Sequence, residues 1–198
     1  REELKKAIAE RLSKKYGNIR VITRKKKEGI GAALREGYNS ANGDLILSTD
    51  ADLSFDVKDM ERLITEINKG YDLVVGSRHI FEKDYEKPNL ETKIKGFISK
   101  YGNIMVRFLT DVKIKDFSAN FRIIKRDVWH KLKTTDKTNS ILLEMILKTK
   151  YKGYKVAEIP VTFKNRKYGK SKLNLAKEAP KFFIKLIFYI FKYRILKI

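Results

Sequence analysis

Asp50 and Asp52 stand two positions apart in "STDADLSF", residues 48–55, directly after the apolar run Leu45-Ile46-Leu47. In extended backbone, side chains at this spacing point the same way. Both carboxylates could then face one hard divalent cation, Mg²⁺ or Mn²⁺, of the kind that bridges a diphosphate. A polar turn leaving a buried strand would read the same in isolation. Upstream, "KEGIGAALREG" sets Gly29 and Gly31 at the mouth of a helix, where backbone N–H groups can closely approach a phosphate. Downstream, Arg78 closes "YDLVVGSR", and "FKNRKYGKSK" carries Arg166, Lys170 and Lys172 around Gly169. Each of these cations alone is an ordinary surface charge. Two carboxylates and several cations together fit a metal-bound nucleotide diphosphate facing a second phosphate.

These residues need a scaffold that brings them to one edge. In open parallel sheets, ligands gather outside the carboxyl ends of the strands, and a strand from Asp44 to Thr49 would deliver both acids there. The chain reads as a regular alternation. An opening helix carries the stripe Leu4, Ile8 and Leu12 and stops at Gly17-Asn18; "IRVIT" follows as a short strand, then a glycine loop feeding a helix. "DLILSTD" is a buried strand, "DVKDMERLITEINKG" a helix with Asp56 near its cap, and "YDLVVGSR" a further strand. After the polar stretch "HIFEKDYEKPNLETK" come a helix, a strand with a short helix in "DFSANFRIIKRDVWHKL", the helix "SILLEMILKTKYKG" and the strand "YKVAEIPVTF". The order predicts an α/β fold, a mainly parallel sheet flanked by helices. No repeat or low-complexity linker marks a second domain.

The 198 residues suffice for one such domain, and 45 Lys and Arg against 24 Asp and Glu give a net charge of +21 suited to anionic partners. With no cysteine and two histidines, disulfides and thiolate zinc sites are excluded and oxygen ligands remain the metal option. A basic nucleic-acid-binding protein is the competing reading of the charge, through runs such as Arg24-Lys25-Lys26-Lys27. The lysines are spread along the whole chain without a nucleic-acid motif, so no nucleic acid is expected. From Pro180 the tail "PKFFIKLIFYIFKYRILKI" has its longest unbroken apolar run at Leu186 to Phe191. That run is far short of the ~20 residues that span a bilayer. Lys181, Lys185 and Lys192 share a narrow sector of the helical wheel opposite a broad apolar arc, which predicts an amphipathic helix lying in a membrane interface. The alternative is a terminal helix packed on the core.

"KKKEGIGAALREGYNSANGDLILSTDADLSF", "YDLVVGSR", "DFSANFRIIKRDV" and "IPVTFKNRKYGKSKL" resemble, in this order, the motifs of family 2 glycosyltransferases. Within that family they are most similar to the dolichol-phosphate mannose synthase and dolichyl-phosphate glucosyltransferase branch. The resemblance implies a GT-A, Rossmann-like fold and a nucleotide-sugar donor, GDP-mannose or UDP-glucose. It also implies a divalent metal and inverting transfer of a hexose to a polyprenyl (dolichyl) phosphate at the cytoplasmic face of a membrane.

Carried over by position, Asp50 and Asp52 match the metal and diphosphate ligands, Arg78 and Arg166 the arginines associated with the acceptor phosphate, and Lys172 lies in the same basic segment. Asp116 matches the acid that opens the family's D-x-x-x-G-F stretch, in which Asn120 here replaces the glycine. Asp116 and Glu144 are candidate supports for the cations. An acceptor phosphate monoester is already anionic near neutral pH, so the reaction calls for positioning and neutralisation rather than a strong base. The family's opening strand and acidic segment have no counterpart in these 198 residues. The expectation is therefore an N-terminally incomplete glycosyltransferase domain over 1–172, followed by interfacial helices over 173–198. A catalytically incomplete membrane-associated domain is the alternative that this leaves.

Overall fold

Four strands make one sheet: β1 (Leu45–Ser48), β2 (Leu73–Ser77), β3 (Arg122–Lys125) and β4 (Val156–Pro160). The computed structural model describes residues 2–52, 54–78, 101–163 and 175–195. The spatial order is β1-β3-β2-β4. β3 runs antiparallel to both β1 and β2, with Ser48 opposite Arg122 and Val75 opposite Arg122 on its other side, while β2 and β4 are parallel. β1, β2 and β4 therefore point the same way, as the alternating pattern requires. The mainly parallel sheet of the sequence reading needs one correction: β3 enters between β1 and β2 in the opposite sense, so two of the three pairings are antiparallel.

Helices α1 (Glu2–Lys15), α2 (Ile30–Asn39), α3 (Lys58–Ile67), α4 (residues 101–110), α5 (Arg126–Leu132), α6 (Ile141–Tyr151) and α7 (Leu175–Tyr189) surround the sheet. Side chains alternate across each strand and split the core in two. Ile46, Leu73, Val75 and Ile124 face a large cluster with Val128 of α5 and Leu143 of α6. Val74, Ile123 and Ile159 face a smaller one with Leu63 and Ile67 of α3. The result is a sheet covered on both faces, which explains why its strands read as nearly continuous apolar runs. Asp59 fastens the smaller layer: buried in α3, it accepts the Thr162 amide at 2.8 Å just beyond β4.

One sequence expectation fails at the amino end. α1 forms as its spacing predicts, with Leu4, Ile8 and Leu12 exposed. "IRVIT" is not a strand; residues 19–23 have no ladder partner, and Ile19 and Ile22 stay outside both clusters. Apolar alternation supplies a face, but a strand also needs a neighbouring edge for its N–H and C=O groups.

α7 packs one side on the core and departs from the helical-wheel reading at Lys185. Leu186 and Tyr189 are buried in the large cluster, as is Tyr193 in the following π-helical turn Ile190–Ile195. Lys185, grouped by the wheel with Lys181 and Lys192 on a solvent face, turns inward instead and bonds both oxygens of Asp136 at 2.6 and 2.7 Å. The reason is a buried acid from a distant loop, which an isolated helix cannot reveal. Phe183, Ile184, Ile187, Phe188 and Phe191 are left exposed. Among the described residues no helix is long and apolar enough to cross a membrane.

Burial would raise the Asp136 carboxyl, but hydrogen bonds from Lys185, Tyr189 and Thr138 outweigh it and hold the group below its ordinary value. A lowered folded-state value means the stabilisation is complete above the unfolded carboxyl range near pH 4 and is lost as pH falls through the folded value. The thermal midpoints of the wild type and Asp136→Asn should therefore differ most above about pH 5. They should converge on further acidification, as calorimetry across pH can check.

Candidate functional site

Because β1, β2 and β4 share a direction, Asp50, Arg78 and the segment after Pro160 all leave the sheet at one edge, and the antiparallel β3 is entered from that same edge. The lead-in to β3, Asp116–Phe121, is thereby laid between the acids and the arginine.

β1 ends at Ser48, earlier than Thr49, and residues 51 and 52 form a turn. The two acids are thus presented by a turn at the strand's carboxyl end, not by extended backbone as the spacing suggested. Both are half-buried. Asp52 Oδ1 accepts the Ser54 amide at 3.1 Å, an Asx turn that shapes the loop. Asp50 Oδ1 accepts Asn120 Nδ2 at 3.0 Å, and no hydrogen bond reaches its Oδ2 among the described residues.

Arg78 is held at the other end of the same segment. Asp116 accepts its Nε at 2.7 Å, its Nη2 at 3.0 Å and its backbone N–H at 3.3 Å, while Ser118 Oγ accepts Nη2 at 2.8 Å. The guanidinium carbon lies 5.4 Å from the ring centre of Phe163, which packs edge-on to Phe55, itself stacked on Phe121 at 4.5 Å. Gly76, in β2 before Arg78, gives Phe121 its room: a Cβ there would come within 2.6 Å of that ring. Asp116 also accepts the amides of Ser118 and Ala119, both at 3.1 Å, and its side chain is wholly buried. It therefore positions Arg78, the supporting role expected of it from the sequence. Asp50 and Arg78 are tied to opposite ends of residues 116–120, so at most about 14 Å of backbone links the two attachments.

The sequence missed three supports of this segment. Arg122, fully buried in β3, donates Nε to the Ala119 carbonyl at 3.1 Å and Nη1 to that of Leu142 at 2.9 Å. Burial pushes its pKa down, opposed by Tyr38 and by the charge of Asp116. Glu158 of β4 accepts the amides of Lys115 and Asp116 at 2.7 and 2.9 Å; burial pushes its carboxyl up against these bonds and one with Ser77. Asn120 is the third. The signals were charges inside apolar strands, "FRIIK" and "VAEIP", and an asparagine where the resembled pattern has glycine.

Gly29 and Gly31 serve a different purpose from the one expected. The Gly31 amide donates to the Lys137 carbonyl at 3.0 Å, and a Cβ on Gly31 would lie 2.5 Å from the carbonyl oxygens of Asp136 and Thr138. Gly29 has φ +99°, and a Cβ there would collide with the Lys137 carbonyl. The glycines admit a protein backbone where a phosphate was expected. Glu144 supports that same loop: wholly buried, it accepts the amides of Thr135 and Asp136 and pairs with Lys148 at 3.0 Å, so it does not buttress Arg78. Arg166, Lys170 and Lys172 lie outside the described residues.

Comparison with known proteins bears on the whole chain. It is 34% identical over 168 residues to a dolichol-phosphate mannosyltransferase of Pyrococcus furiosus, covering 83% of this chain and 46% of that protein. It is 29% identical over 167 residues to a polyprenol monophosphomannose synthase of Mycolicibacterium smegmatis, covering 79% and 60%. Glycosyltransferase AglD of Haloferax volcanii matches at 27% over 174 residues, covering 86% and 27%. The chain thus spans only part of the length of these relatives. Among solved structures, glucosyl-3-phosphoglycerate synthase of Mycobacterium tuberculosis, in complex with Mn²⁺, UDP and phosphoglyceric acid, superposes with a TM-score of 0.59 at 12% identity. That match covers 87% of this chain and 55% of the other, and establishes the fold as that of the GT-A enzymes. The sequence profile described as "Glycosyl transferase family 2" matches residues 4–133, more than half of the chain and the part that builds β1, β2, β3 and the Asp116–Arg78 pair. On that match, the chain belongs to glycosyl transferase family 2.

Proposed function

We propose that the full-length protein is a metal-dependent transferase that moves a hexose from a nucleotide-sugar to a polyprenyl phosphate at a membrane surface. The observation that carries this reading is the Asp116–Asn120 segment, which ties Asp50, the first of the two acids, and a shielded arginine to one sheet edge. Asp50 and Asp52 are the residues that would hold Mg²⁺ or Mn²⁺, whose charge would offset the negative charge gathering on the leaving diphosphate. Among the described residues no group of three or more Asp, Glu or His side chains is placed to hold a metal. Two carboxylates with the remaining positions left to phosphate oxygens and water is a donor set that suits Mg²⁺ or Mn²⁺.

Arg78, held in orientation by Asp116 and backed by Phe163, would supply a fixed positive charge beside the acceptor phosphate. Arg166 and Lys172 would add to it by their positions in the resembled motif. Neutralising two phosphorylated substrates lets the acceptor oxygen attack without a dedicated base. The relatives named for dolichol phosphate and polyprenol monophosphomannose favour a polyprenyl acceptor and a mannosyl donor.

The test is a titration of GDP-mannose and UDP-glucose into the full-length protein with and without Mn²⁺. Binding of one donor that requires the metal is expected; metal-independent binding, or none, overturns the reading.

The exposed apolar face of α7 and the turn that follows it supports lipid as the surface on which this occurs. Phe183, Ile184, Ile187 and Phe188 of α7 and Phe191 of the following turn are exposed, while the Lys185 ammonium and the Tyr189 and Tyr193 hydroxyls are turned inward; Lys192 lies beside the exposed face, 5.8 Å from the Phe188 ring. Replacing Ile184, Ile187 and Phe188 with serine removes this face and leaves Leu186, Tyr189 and Tyr193 in the core. Vesicle partitioning should weaken roughly tenfold for each side chain lost, on about 1.5 kcal/mol or more apiece. Equal flotation of the wild type and the triple variant on anionic liposomes would exclude this face as the contact.

A further inference from the structure

Asn120 is placed by the sheet register. β1 ends with Ser48 opposite Arg122, the first residue of β3, so Asp50, two residues after β1, and Asn120, two residues before β3, lie side by side where the two chains leave the sheet. Any side chain at 120 therefore meets the first of the two acids. Asparagine meets it with a donor: Nδ2 bonds Asp50 Oδ1 at 3.0 Å, while Oδ1 accepts the Ser48 hydroxyl at 2.8 Å. The residue is 9% exposed, so the amide is held among protein groups and not rotating in solvent. The reversed amide would set its oxygen against the Asp50 carboxylate, acceptor against acceptor, so the acid itself fixes the orientation.

We propose that Asn120 is a positioning residue for the divalent cation: it holds one oxygen of Asp50 and leaves Oδ2 as the oxygen for the metal. This rests on the reading that Asp50 and Asp52 bind that cation. Glycine, which the resembled family pattern has at this position, offers no such bond, so the arrangement belongs to this chain. A carboxylate fixed before the ligand arrives loses less freedom when it binds. Ser48 extends the brace back into β1, a strand already fixed by its ladder to β3, so that Ser48, Asn120 and Asp50 form a short relay from rigid sheet to ligand.

The experiment follows free Mn²⁺ by electron paramagnetic resonance during titration of the full-length protein in the presence of a nucleoside diphosphate. The proteins compared are the wild type, Asn120→Ala, Asn120→Gly, Ser48→Ala and Asp50→Asn, each with its thermal midpoint measured. Both Asn120 variants should bind Mn²⁺ roughly 10- to 100-fold more weakly, as loss of a ligand's supporting hydrogen bond commonly does. Ser48→Ala, which keeps the amide but removes its orienting partner, should fall between them and the wild type and keeps the test open if the Asn120 variants do not fold. The donor KM should rise while the acceptor KM stays unchanged, a split that a purely structural role would not produce. Mn²⁺ affinity of Asn120→Ala or Ser48→Ala within twofold of the wild type, with binding lost in Asp50→Asn, overturns the role of Asn120 alone. No Mn²⁺ binding by the wild type, or equal binding by Asp50→Asn, overturns the metal reading and this inference together.

Discussion

Asp116→Ala should destabilise the fold by about 3–5 kcal/mol, the usual cost of removing one partner from a buried ion pair. Three effects add. The Arg78 guanidinium loses both of its bonds to the carboxylate, the amides of Ser118 and Ala119 lose their acceptor, and the buried Arg122 loses the negative charge that opposes its desolvation. The Arg78 side chain is 23% exposed, so water recovers part of the first loss and the lower half of the range is expected. Asp116→Asn keeps the volume but sets an amide group against the arginine's donors, and should cost nearly as much. Urea denaturation of the wild type, Asp116→Ala, Arg78→Ala and the double variant measures the coupling. The double variant should lose less than the sum of the single ones, because the uncompensated cation is gone.

Gly31→Ala is the second large effect, expected at about 2–4 kcal/mol from overpacking together with a lost hydrogen bond. The new methyl would stand 2.5 Å from two backbone carbonyl oxygens, and backbone cannot swing aside as a side-chain tip would. α2 must therefore move off the 136–138 loop, breaking the bond from the Gly31 amide to Lys137. Gly37, in the same helix, has nothing within 4 Å of its Cβ position. Gly37→Ala should stabilise the protein by roughly 0.5–1 kcal/mol through helix propensity alone. Opposite shifts of the thermal midpoint for two Gly→Ala changes six residues apart would separate close packing from propensity.

What could be read from the sequence was what depends on local pattern. β2 and α6 stand where their apolar runs placed them, as do Asp50, Asp52 and Arg78 at the strand ends, because strand identity and the direction of β1 and β2 follow from alternation with helices. The antiparallel insertion of β3 was hidden, since "FRIIK" reads the same in either direction. The glycine pair was ambiguous for a related reason: a carbonyl and a phosphate oxygen both need a surface without a Cβ, and the loop that arrives, residues 136–138, is over a hundred positions away. Lys185 turned inward for the same cause, and what Asp116 pairs with was equally out of sight. Their partners, Asp136 and Arg78, are 49 and 38 positions distant. A residue's charge is local information, but what neutralises it is not.

The place of β3 also sets a timetable for synthesis. Among the described strands β1 and β2 are made before the others but do not pair with each other; within this set each gains a neighbour when Arg122–Lys125 appears, and β2 gains its second with β4. A nascent chain that has passed Ser77 but not Arg122 carries two apolar strands with open edges, Ile46 and Val74 among them. Pairing over such separations is slow, and open strands at this stage are sites of misassociation. Chains stalled on the ribosome before residue 122 should bind chaperones and be readily cut by protease, whereas those extended beyond Pro160 hold all four described strands.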